Sequence, residues 1–329
     1  MIISRTPCRM SFVGGGTDIP AFYRKFGGAV LSTSIRSYVN VVVNPKFDGR
    51  VRVGYSRTEL CENSSQVEHP IVREALRMLG IEGGIEIISI ADVPSSGTGL
   101  GSSSSFTVGL LNALHAFNSE RATRDQLGVE SCRLEIDILK EPIGKQDQYA
   151  AAFGGLNFIR FNEDDTVDVE PLHCTYQVEN RIETSIVTFY TGIARSAGHV
   201  LKAQNEVIES GSRTSVMKRM AAQAVELRDE LQRGNVDALG EALHEGWVLK
   251  QSITPHISSD QIGDWYKRAR SAGAVGGKLL GAGAGGFLVF FAPPDRHGAI
   301  RRELAELRPV QLRLDRDGSQ VIFADSGFQ

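Results

Sequence analysis

The stretch from Ser95 to Ser105 constrains the fold more than any other, because nine of its eleven residues are Ser or Gly. The segment before it, GIEIISIADV, has the β-branched composition of a buried strand. The segment after it, Phe106 to Phe117, carries apolar residues at helical spacing. A glycine-rich turn that opens a helix exposes backbone N–H groups where the helix dipole attracts anions. The stretch therefore predicts a phosphate-binding loop, with a flexible turn as the alternative.

The residues of this stretch suit contact between an anion and the main chain. Gly97, Gly99 and Gly101 have no Cβ atoms, so a bulky anion could approach their backbone closely. The hydroxyls of residues 102–105 are able to bind phosphate oxygens or a Mg²⁺ ion. The Walker A pattern, G-x-x-x-x-G-K-[ST], is absent from the chain. Phosphate binding of another type is therefore predicted.

A second glycine cluster, GKLLGAGAGGFLVFF, contains the spacing G-x-G-x-x-G at Gly281, Gly283 and Gly286. Dinucleotide binding requires a strand before that spacing and a helix after it, whereas here a strand pattern follows. The sequence thus excludes a Rossmann loop at this cluster. A close backbone approach to another element remains the expectation.

Composition and charge exclude several classes of function. The net charge of −3 over 329 residues predicts neither nucleic-acid binding nor attraction to a membrane surface. No stretch approaches the roughly 18 apolar residues that a membrane span needs, and the first residues lack the pattern of a signal peptide. The cysteines at 8, 61, 132 and 174 show no metal-binding spacing, which favours reduced thiols and a cytoplasmic location.

Strand and helix patterns alternate without a fixed repeat, which predicts an α+β protein. Short β-branched runs, AVLSTSI, YVNVVVNP and RVRVGYS, predict a sheet with hairpin turns near the start of the chain. The strand patterns GGFLVFFAPP and SQVIFAD close the sequence. We expect two domains, residues 1–168 and residues 169–329.

Two segments carry more detailed expectations. HPIVREALRMLG predicts a helix with Ile71, Ala75 and either Met78 or Leu79 facing inward. The acidic segment RFNEDDTVDVEPLH predicts a crossing between the two domains, and a hairpin is the alternative.

Three motifs together resemble those of the GHMP kinases, the superfamily of galactokinase, homoserine kinase, mevalonate kinase and phosphomevalonate kinase. PSSGTGLGSSSS is similar to the nucleotide loop of that family. RTPCRMSFVGGGTDIP is similar to its N-terminal sugar-binding motif, and GGKLLGAGAGGFLVFF to its third, glycine-rich motif. The motifs occur in family order, from residue 5 to residue 291, and so cover almost the whole chain.

The resemblance implies a two-domain fold, with an N-terminal ribosomal-protein-S5-domain-2-like domain and a C-terminal ferredoxin-like α+β domain. It implies ATP and Mg²⁺ as cofactors and a small-molecule acceptor, and leaves a homodimer as one option. The positions that match the nucleotide loop are Pro94, Gly97, Thr98, Gly99, Leu100, Gly101, Ser102, Ser103 and Ser104.

Two acidic residues match catalytic positions of the family. Glu135 and Asp147 stand twelve positions apart, as in galactokinase-like members. The resemblance implies that Glu135 holds Mg²⁺ together with the hydroxyl of Ser103, or of Ser102 as second choice. It implies that Asp147 is the catalytic base, a role that needs hydrogen-bond reach to the attacking hydroxyl. A solvated helix charge for Glu135 and a helix cap for Asp147 are the competing interpretations.

The N-terminal motif supplies a cation and a polar turn. Arg9 matches the family arginine beside the transferred phosphate, where a fixed positive charge would stabilise the transition state. Asp18 matches a residue that hydrogen-bonds sugar hydroxyls, and Gly15, Gly16 and Thr17 precede it in the turn. A surface arginine and a turn-stabilising aspartate are the alternatives.

The acceptor turn departs from galactokinase, because GGGTDIP lacks the Glu and His of that enzyme's Gly-Glu-His-Thr-Asp turn. Together with HPIVREALRMLG and TGIARSAGHVLKAQ, it resembles the D-glycero-D-manno-heptose 7-phosphate kinases, which phosphorylate the anomeric hydroxyl. An acceptor that already carries a phosphate needs a basic pocket. Arg195, Lys202 and Lys278 are the candidates, although the first two could belong to an exposed basic helix, and Gly283 is a further substrate contact. A kinase of L-fucose or another hexose, and an inactive sugar-binding homologue, are the alternatives.

Overall fold

The computed structural model describes residues 1–94, 97–193 and 197–325, and these residues form two sheets with helices packed around them. The strands are β1 (Ile2–Val13), β2 (Gly28–Pro45), β3 (Val51–Gly54), β4 (Thr58–Cys61), β5 (Ile85–Ala91), β6 (Leu156–Phe161), β7 (Val167–Pro171), β8 (Ile186–Tyr190), β9 (Gly276–Leu279), β10 (Phe287–Phe291), β11 (Arg308–Val310) and β12 (Gln320–Ala324). The helices are α1 (Pro20–Phe26), α2 (Pro70–Met78), α3 (Ser102–Phe117), α4 (Arg124–Cys132), α5 (Gln146–Phe153), α6 (Tyr176–Ser185), α7 (Ala197–Glu209), α8 (Thr214–Gln232), α9 (Ala238–Gln251), α10 (Asp260–Ser271) and α11 (His297–Glu303).

The first sheet determines where the serine-glycine loop lies. Its strand order in the described residues is β12-β1-β2-β5-β3-β4, with β6 beside β2 and β7 beside β6. Helix α3 packs against β1 and β2. It is apolar on nearly all sides, and Val108, Leu110, Leu111 and Leu114 are fully buried, as expected for a helix in the interior. Burial of α3 fixes its first turn, and therefore the loop that precedes it.

The second sheet has the strand order β11-β8-β10-β9, and every pair is antiparallel. Counted along the chain from β8, this order is 4-1-3-2, the arrangement of a ferredoxin-like domain. Helices α9 and α10 cover the sheet and bury Trp247 and Trp265 beside Phe290. The α+β class predicted from the sequence, with a ferredoxin-like part near the C-terminus, is confirmed.

The acidic segment between the two predicted domains is a hairpin. Strands β6 and β7 pair antiparallel, and Asp165 in the connecting turn has a φ of 70°. The predicted crossing is therefore wrong, and the hairpin alternative is correct. The proposed cut between residues 168 and 169 falls inside β7. Strand β12 also returns to pair with β1, so the first sheet includes both ends of the described chain.

Helix α2 forms where the sequence predicts it, and its predicted inward face is confirmed in part. Ala75 is fully buried, and Ile71, Met78 and Leu79 are partly buried against the core, while Val72 and Leu76 are buried in addition. Proline at the first helical position starts the helix, and the core contacts then select the buried face. Within the described residues, none of the helices has the length and apolar character needed to cross a bilayer.

Candidate active site

A cavity of about 660 Å³ opens between the serine-glycine loop, the N-terminal turn and the second glycine cluster. Most of the residues predicted from the sequence line it: Arg9, Gly15, Gly16, Asp18, Gly97, Thr98, Gly99, Gly101, Ser102, Ser103, Ser104, Glu135 and Asp147. Sequence reasoning missed Glu141, Gln146, Gln204 and Lys250, which also line it. The fold therefore gathers side chains from widely separated segments into one cavity.

The two glycine-rich loops meet at this cavity. Gly99 has a φ of +76°, and a Cβ atom there would lie 2.2 Å from the carbonyl oxygen of Leu280. Such a contact is impossible without moving backbone, so glycine is required at this position. The close approach expected for the second cluster is thus with the first loop. Helix α3 begins immediately after Gly101 and directs its N-terminus to the cavity, where it favours an anion.

Two residues of the predicted nucleotide loop do not line the cavity. Leu100 is fully buried in the core, and its carbonyl accepts a hydrogen bond from the main-chain N–H of Arg9 at 2.9 Å. Pro94 is exposed, and its carbonyl accepts from the hydroxyl of Ser102 at 3.4 Å. Both residues shape the loop from outside the cavity.

Glu135 lies on a π-helical turn, Arg133–Ile138, that continues from α4. Its carboxylate accepts hydrogen bonds from Ser104 Oγ (2.8 Å), Thr107 Oγ1 (2.8 Å) and Gln148 Nε2 (2.6 Å). Burial raises the pKa of Glu135 to about 7, although the three donors oppose that shift. The hydroxyl in contact with Glu135 is that of Ser104, whereas Ser103 is exposed and lines the cavity.

Asp147 and Arg9 form a bidentate ion pair. Arg9 Nε donates to Oδ1 at 2.8 Å and Nη2 to Oδ2 at 2.6 Å. The remaining guanidinium nitrogen, Nη1, donates to the carbonyl of Gly99 at 2.6 Å. Arg9 is buried, and Asp147 stands in the first turn of α5 with 24% of its side chain exposed. One arginine thereby ties the carboxylate to the glycine loop.

Asp18 is held by main-chain donors beside this pair. Its carboxylate accepts from the N–H of Gly16 at 2.8 Å and of Gln146 at 3.1 Å. A Cβ atom on Gly144 would lie 2.0 Å from Asp18 Oδ2, so the loop before α5 needs glycine there. Burial, together with the charge of Asp147, raises the pKa of Asp18. Asp18 therefore both stabilises the N-terminal turn and lines the cavity.

Thr17 is fully buried and lies outside the lining. Its hydroxyl donates to the carbonyl of Gly14 at 2.8 Å and accepts from the N–H of Ala29 at 3.1 Å. These contacts hold the N-terminal turn in shape.

The side of the cavity away from α3 contains amide side chains and apolar groups. Gln146 lies beside Gly15, and its buried Oε1 has no hydrogen-bond partner among the described residues. Gln204 on α7 is buried and close to Gly16. The apolar residues Ile19, Ile143 and Leu201 also line the cavity.

The two described residues among those predicted to bind an acceptor phosphate, Lys202 and Lys278, lie in different surroundings. Arg195 lies outside the described residues. Lys202 is exposed on α7, between Leu201 and Gln204, which line the cavity. Lys278 is buried away from the lining, where its Nζ donates to the carbonyl of Phe12 at 2.9 Å. Gly283 is also outside the lining and packs against Ile257.

Lys250, near the C-terminal end of α9, is the cation that sequence reasoning missed. Its side chain is buried at the cavity wall, and its Nζ donates to the carbonyl of Gly281. The sequence did contain one signal for this residue, a single lysine in the otherwise apolar run GWVLK. A buried helix face rarely carries an unpaired charge, so a lysine there indicates a specific role.

The protein side chains at the cavity could hold Mg²⁺ only if a bound molecule, such as a phosphate, supplied further oxygen ligands. In the described part of the chain, no three His, Cys, Asp or Glu side chains gather as a metal site. Mg²⁺ commonly takes one or two carboxylates plus substrate phosphates, and Glu135 with the serine hydroxyls beside the glycine loop matches that arrangement. The cavity therefore suits a nucleotide phosphate chain with its Mg²⁺.

Family models match both parts of the chain. The model described as GHMP kinases N terminal domain matches residues 65–155, and GHMP kinases C terminal matches residues 227–309. The chain belongs to the GHMP kinases. It is accordingly a phosphotransferase that acts on a hydroxyl group, and its family uses ATP as the phosphate donor, usually with Mg²⁺.

Individual relatives of this GHMP kinase are sugar kinases. D-glycero-alpha-D-manno-heptose 7-phosphate kinase of Campylobacter jejuni is 29% identical over 328 residues, covering 92% of this chain and 94% of that protein. The bifunctional fucokinase/GDP-fucose pyrophosphorylase of Arabidopsis thaliana is 26% identical over 91% of this chain and 31% of that protein. The crystal structure of a D-glycero-D-manno-heptose 1-phosphate kinase from Bacteroides thetaiotaomicron has a TM-score of 0.81 at 24% identity, covering 99% of this chain and all of that one. The structural match confirms the fold.

Proposed function

We propose that this GHMP kinase transfers the γ-phosphoryl group of ATP to the anomeric hydroxyl of D-glycero-D-manno-heptose 7-phosphate, giving the 1,7-bisphosphate for synthesis of nucleotide-activated heptose. The observation that carries the proposal is the Arg9–Asp147 pair, which stands between the glycine loop and the N-terminal turn. A carboxylate at that junction is within the same cavity as both expected substrates. The free thiols fit a reducing compartment, so we propose a cytoplasmic location.

In the proposed reaction the anomeric oxygen attacks the γ-phosphorus, and the bond from that phosphorus to the bridging oxygen of ADP breaks. Asp147 accepts the hydroxyl proton through lone pairs that Arg9 leaves free, since a carboxylate has about four acceptor sites. Arg9 keeps the carboxylate oriented and tied to the Gly99 loop. Glu135, with Ser103 or Ser104, would hold Mg²⁺, which neutralises phosphate charge when bound.

Recognition of the sugar is assigned to the N-terminal turn. Gly15, Gly16 and Asp18 line the cavity on the side of Asp147, so hydroxyls of the sugar would meet the Asp18 carboxylate. For the acceptor phosphate we retain Arg195 and Lys202, because Lys278 already donates to a buried carbonyl. Lys202 stands on α7 next to two lining residues, at the edge of the cavity.

Identity to the heptose 7-phosphate kinase over nearly the full length of both chains supports this acceptor. The match to a fucokinase supports L-fucose or another hexose as the second candidate. Retention of Arg9, Glu135 and Asp147 in one cavity argues against an inactive sugar-binding homologue.

A coupled assay of ADP release, run over free sugars and sugar phosphates, tests the proposal. We expect kcat/KM for heptose 7-phosphate to exceed that for L-fucose, galactose and the dephosphorylated heptose. A preference for a free hexose would replace the heptose assignment with the second candidate. If no ADP is formed with any of the sugars, the result would support the interpretation of the protein as an inactive sugar-binding homologue.

A further inference from the structure

The two glycine-rich loops are each held by a buried cation. Arg9 donates to the carbonyl of Gly99, and Lys250 donates to the carbonyl of Gly281. The loops touch at these glycines, since a Cβ atom on Gly281 would lie 2.3 Å from Gly99 Cα. Arg9 and Lys250 both line the cavity, with 4% and 6% of their surfaces exposed. The junction of the loops is therefore flanked by two positive side chains.

The two cations differ in what balances their charge. Arg9 is neutralised by its bidentate contact with Asp147. Lys250 forms no ion pair with any described residue, and its partner, Gly281, contributes only a main-chain carbonyl. A buried ammonium without a counter-charge is costly to the folded protein. An anion in the cavity would balance that charge.

We propose that Lys250 contacts the phosphoryl group during transfer and acts as a catalytic cation beside the Arg9–Asp147 pair. This inference rests on the proposed function and adds one residue to its mechanism. Negative charge on the transferred group spreads over its oxygens, and a fixed ammonium nearby stabilises that distribution. Because Asp147 already neutralises Arg9, Lys250 supplies the uncompensated positive charge at the loop junction.

Another buried lysine shows what a purely structural role looks like. Lys278 donates to the carbonyl of Phe12 outside the cavity, and burial lowers its pKa well below the ordinary value. Its hydrogen bond holds the main chain of β1 and lies outside the cavity. Burial lowers the pKa of Lys250 to about 8, so most of it is charged at neutral pH. Of these two buried lysines, Lys250 is the one that lines the cavity.

Two substitutions separate the charge of Lys250 from its hydrogen bond. Lys250→Met removes both, whereas Lys250→Gln removes the charge but keeps an N–H donor for the Gly281 carbonyl. We expect both variants to lower kcat by roughly 10²–10³, the effect of losing one transition-state donor. Affinity for ADP, which lacks the transferred group, should stay within about twofold. Wild-type kcat in Lys250→Gln would overturn the proposal and leave Lys250 as a tether.

A pH profile provides a second test that a structural tether would not affect. Burial lowers the pKa of Lys250 most, the nearby charge of Arg9 lowers it further, and the carboxylates of Asp18 and Asp147 raise it. Since the ammonium is the active form, wild-type kcat/KM for MgATP should fall as the pH rises through about 8. The Lys250→Gln variant should have a flat profile there. The same fall in that variant would overturn the proposal.

The outcomes distinguish this inference from the function on which it rests. If the wild-type protein transfers phosphate to no sugar, the proposed function fails and the role of Lys250 fails with it. If wild-type transfer is measurable and both Lys250 variants match it, only the role of Lys250 is overturned. Reduced kcat in both variants, with unchanged ADP affinity and loss of the fall near pH 8, supports it.

Discussion

The side of the cavity that we assign to ATP, the donor half, and the side that we assign to the sugar, the acceptor half, are built differently. In the donor half, the Gly99 loop, Glu135 and Arg9 are fixed by partners within the protein, through close backbone contacts and charged hydrogen bonds. In the acceptor half, the buried Oε1 of Gln146 has no partner among the described residues. Buried polar atoms normally have partners, so this oxygen indicates where a ligand belongs. The protein itself orients Glu135 and Arg9 in the donor half, although Lys250 has no counter-charge there among the described residues, and the acceptor half leaves the Gln146 oxygen for a ligand.

The largest effect should come from the residue between the two halves. We expect Asp147→Asn to lower kcat by roughly 10²–10⁴, because an amide cannot accept the proton of the attacking hydroxyl. MgATP affinity should stay close to wild type, which calorimetry can measure. A loss of less than about tenfold would mean that Asp147 orients the hydroxyl without taking its proton.

The second prediction concerns the rigidity of the donor half. Gly99→Ala would place a Cβ atom 2.2 Å from the Leu280 carbonyl oxygen and force the two glycine loops apart. We expect the dissociation constant for MgATP to rise by roughly 10–100-fold, the effect of losing a charge-assisted phosphate contact.

Gly49→Ala is the matched control. Gly49 has the same φ of +76°, but nothing lies within 4 Å of the added Cβ. It should lose about 1–2 kcal/mol of stability from backbone strain while MgATP affinity stays unchanged. Equal MgATP affinities in the two variants would show that the loop contact does not shape the phosphate site.

The smallest effect should come from the acceptor half. Gln146→Ala removes the buried Oε1 that has no partner among the described residues and that we expect to accept a hydrogen bond from the sugar. The KM for the acceptor should therefore rise by roughly 3–10-fold, while the KM for ATP stays constant. Gln126→Ala, at an exposed glutamine on α4, is the control and should leave both values unchanged. A rise in the ATP KM instead would place Gln146 with the donor half.

The same contrast explains how far the sequence predicts the site. Gly99, Arg9 and Asp147 lie in contiguous motifs whose backbone shape is encoded locally, and all three line the cavity as expected. Lys250 and Gln204 come from helices that only tertiary packing brings to the cavity. The lysine in GWVLK is unusual in an apolar run, but nothing in the sequence places Lys250 or Gln204 at this cavity.

The sequence also cannot predict which serine of the run 102–105 faces Glu135. The four residues are all serine, so only the rotation of the buried helix α3 decides that Ser104 rather than Ser103 contacts Glu135. For the same reason the sequence predicts only part of the buried face of α2, because Val72 and Leu76 form a neighbouring apolar stripe that the core also buries. The acidic segment left a crossing and a hairpin both open, because its charged residues suit either one, and the pairing of β6 with β7 decides for the hairpin.

Phosphorus NMR of the product formed from ATP and D-glycero-D-manno-heptose 7-phosphate tests the central claim most directly. We predict a new phosphate resonance coupled to the anomeric proton, formed in equal amount with ADP, while the 7-phosphate resonance is retained. No anomeric phosphate with this acceptor, together with rapid formation of one from a free hexose, would contradict the proposed function.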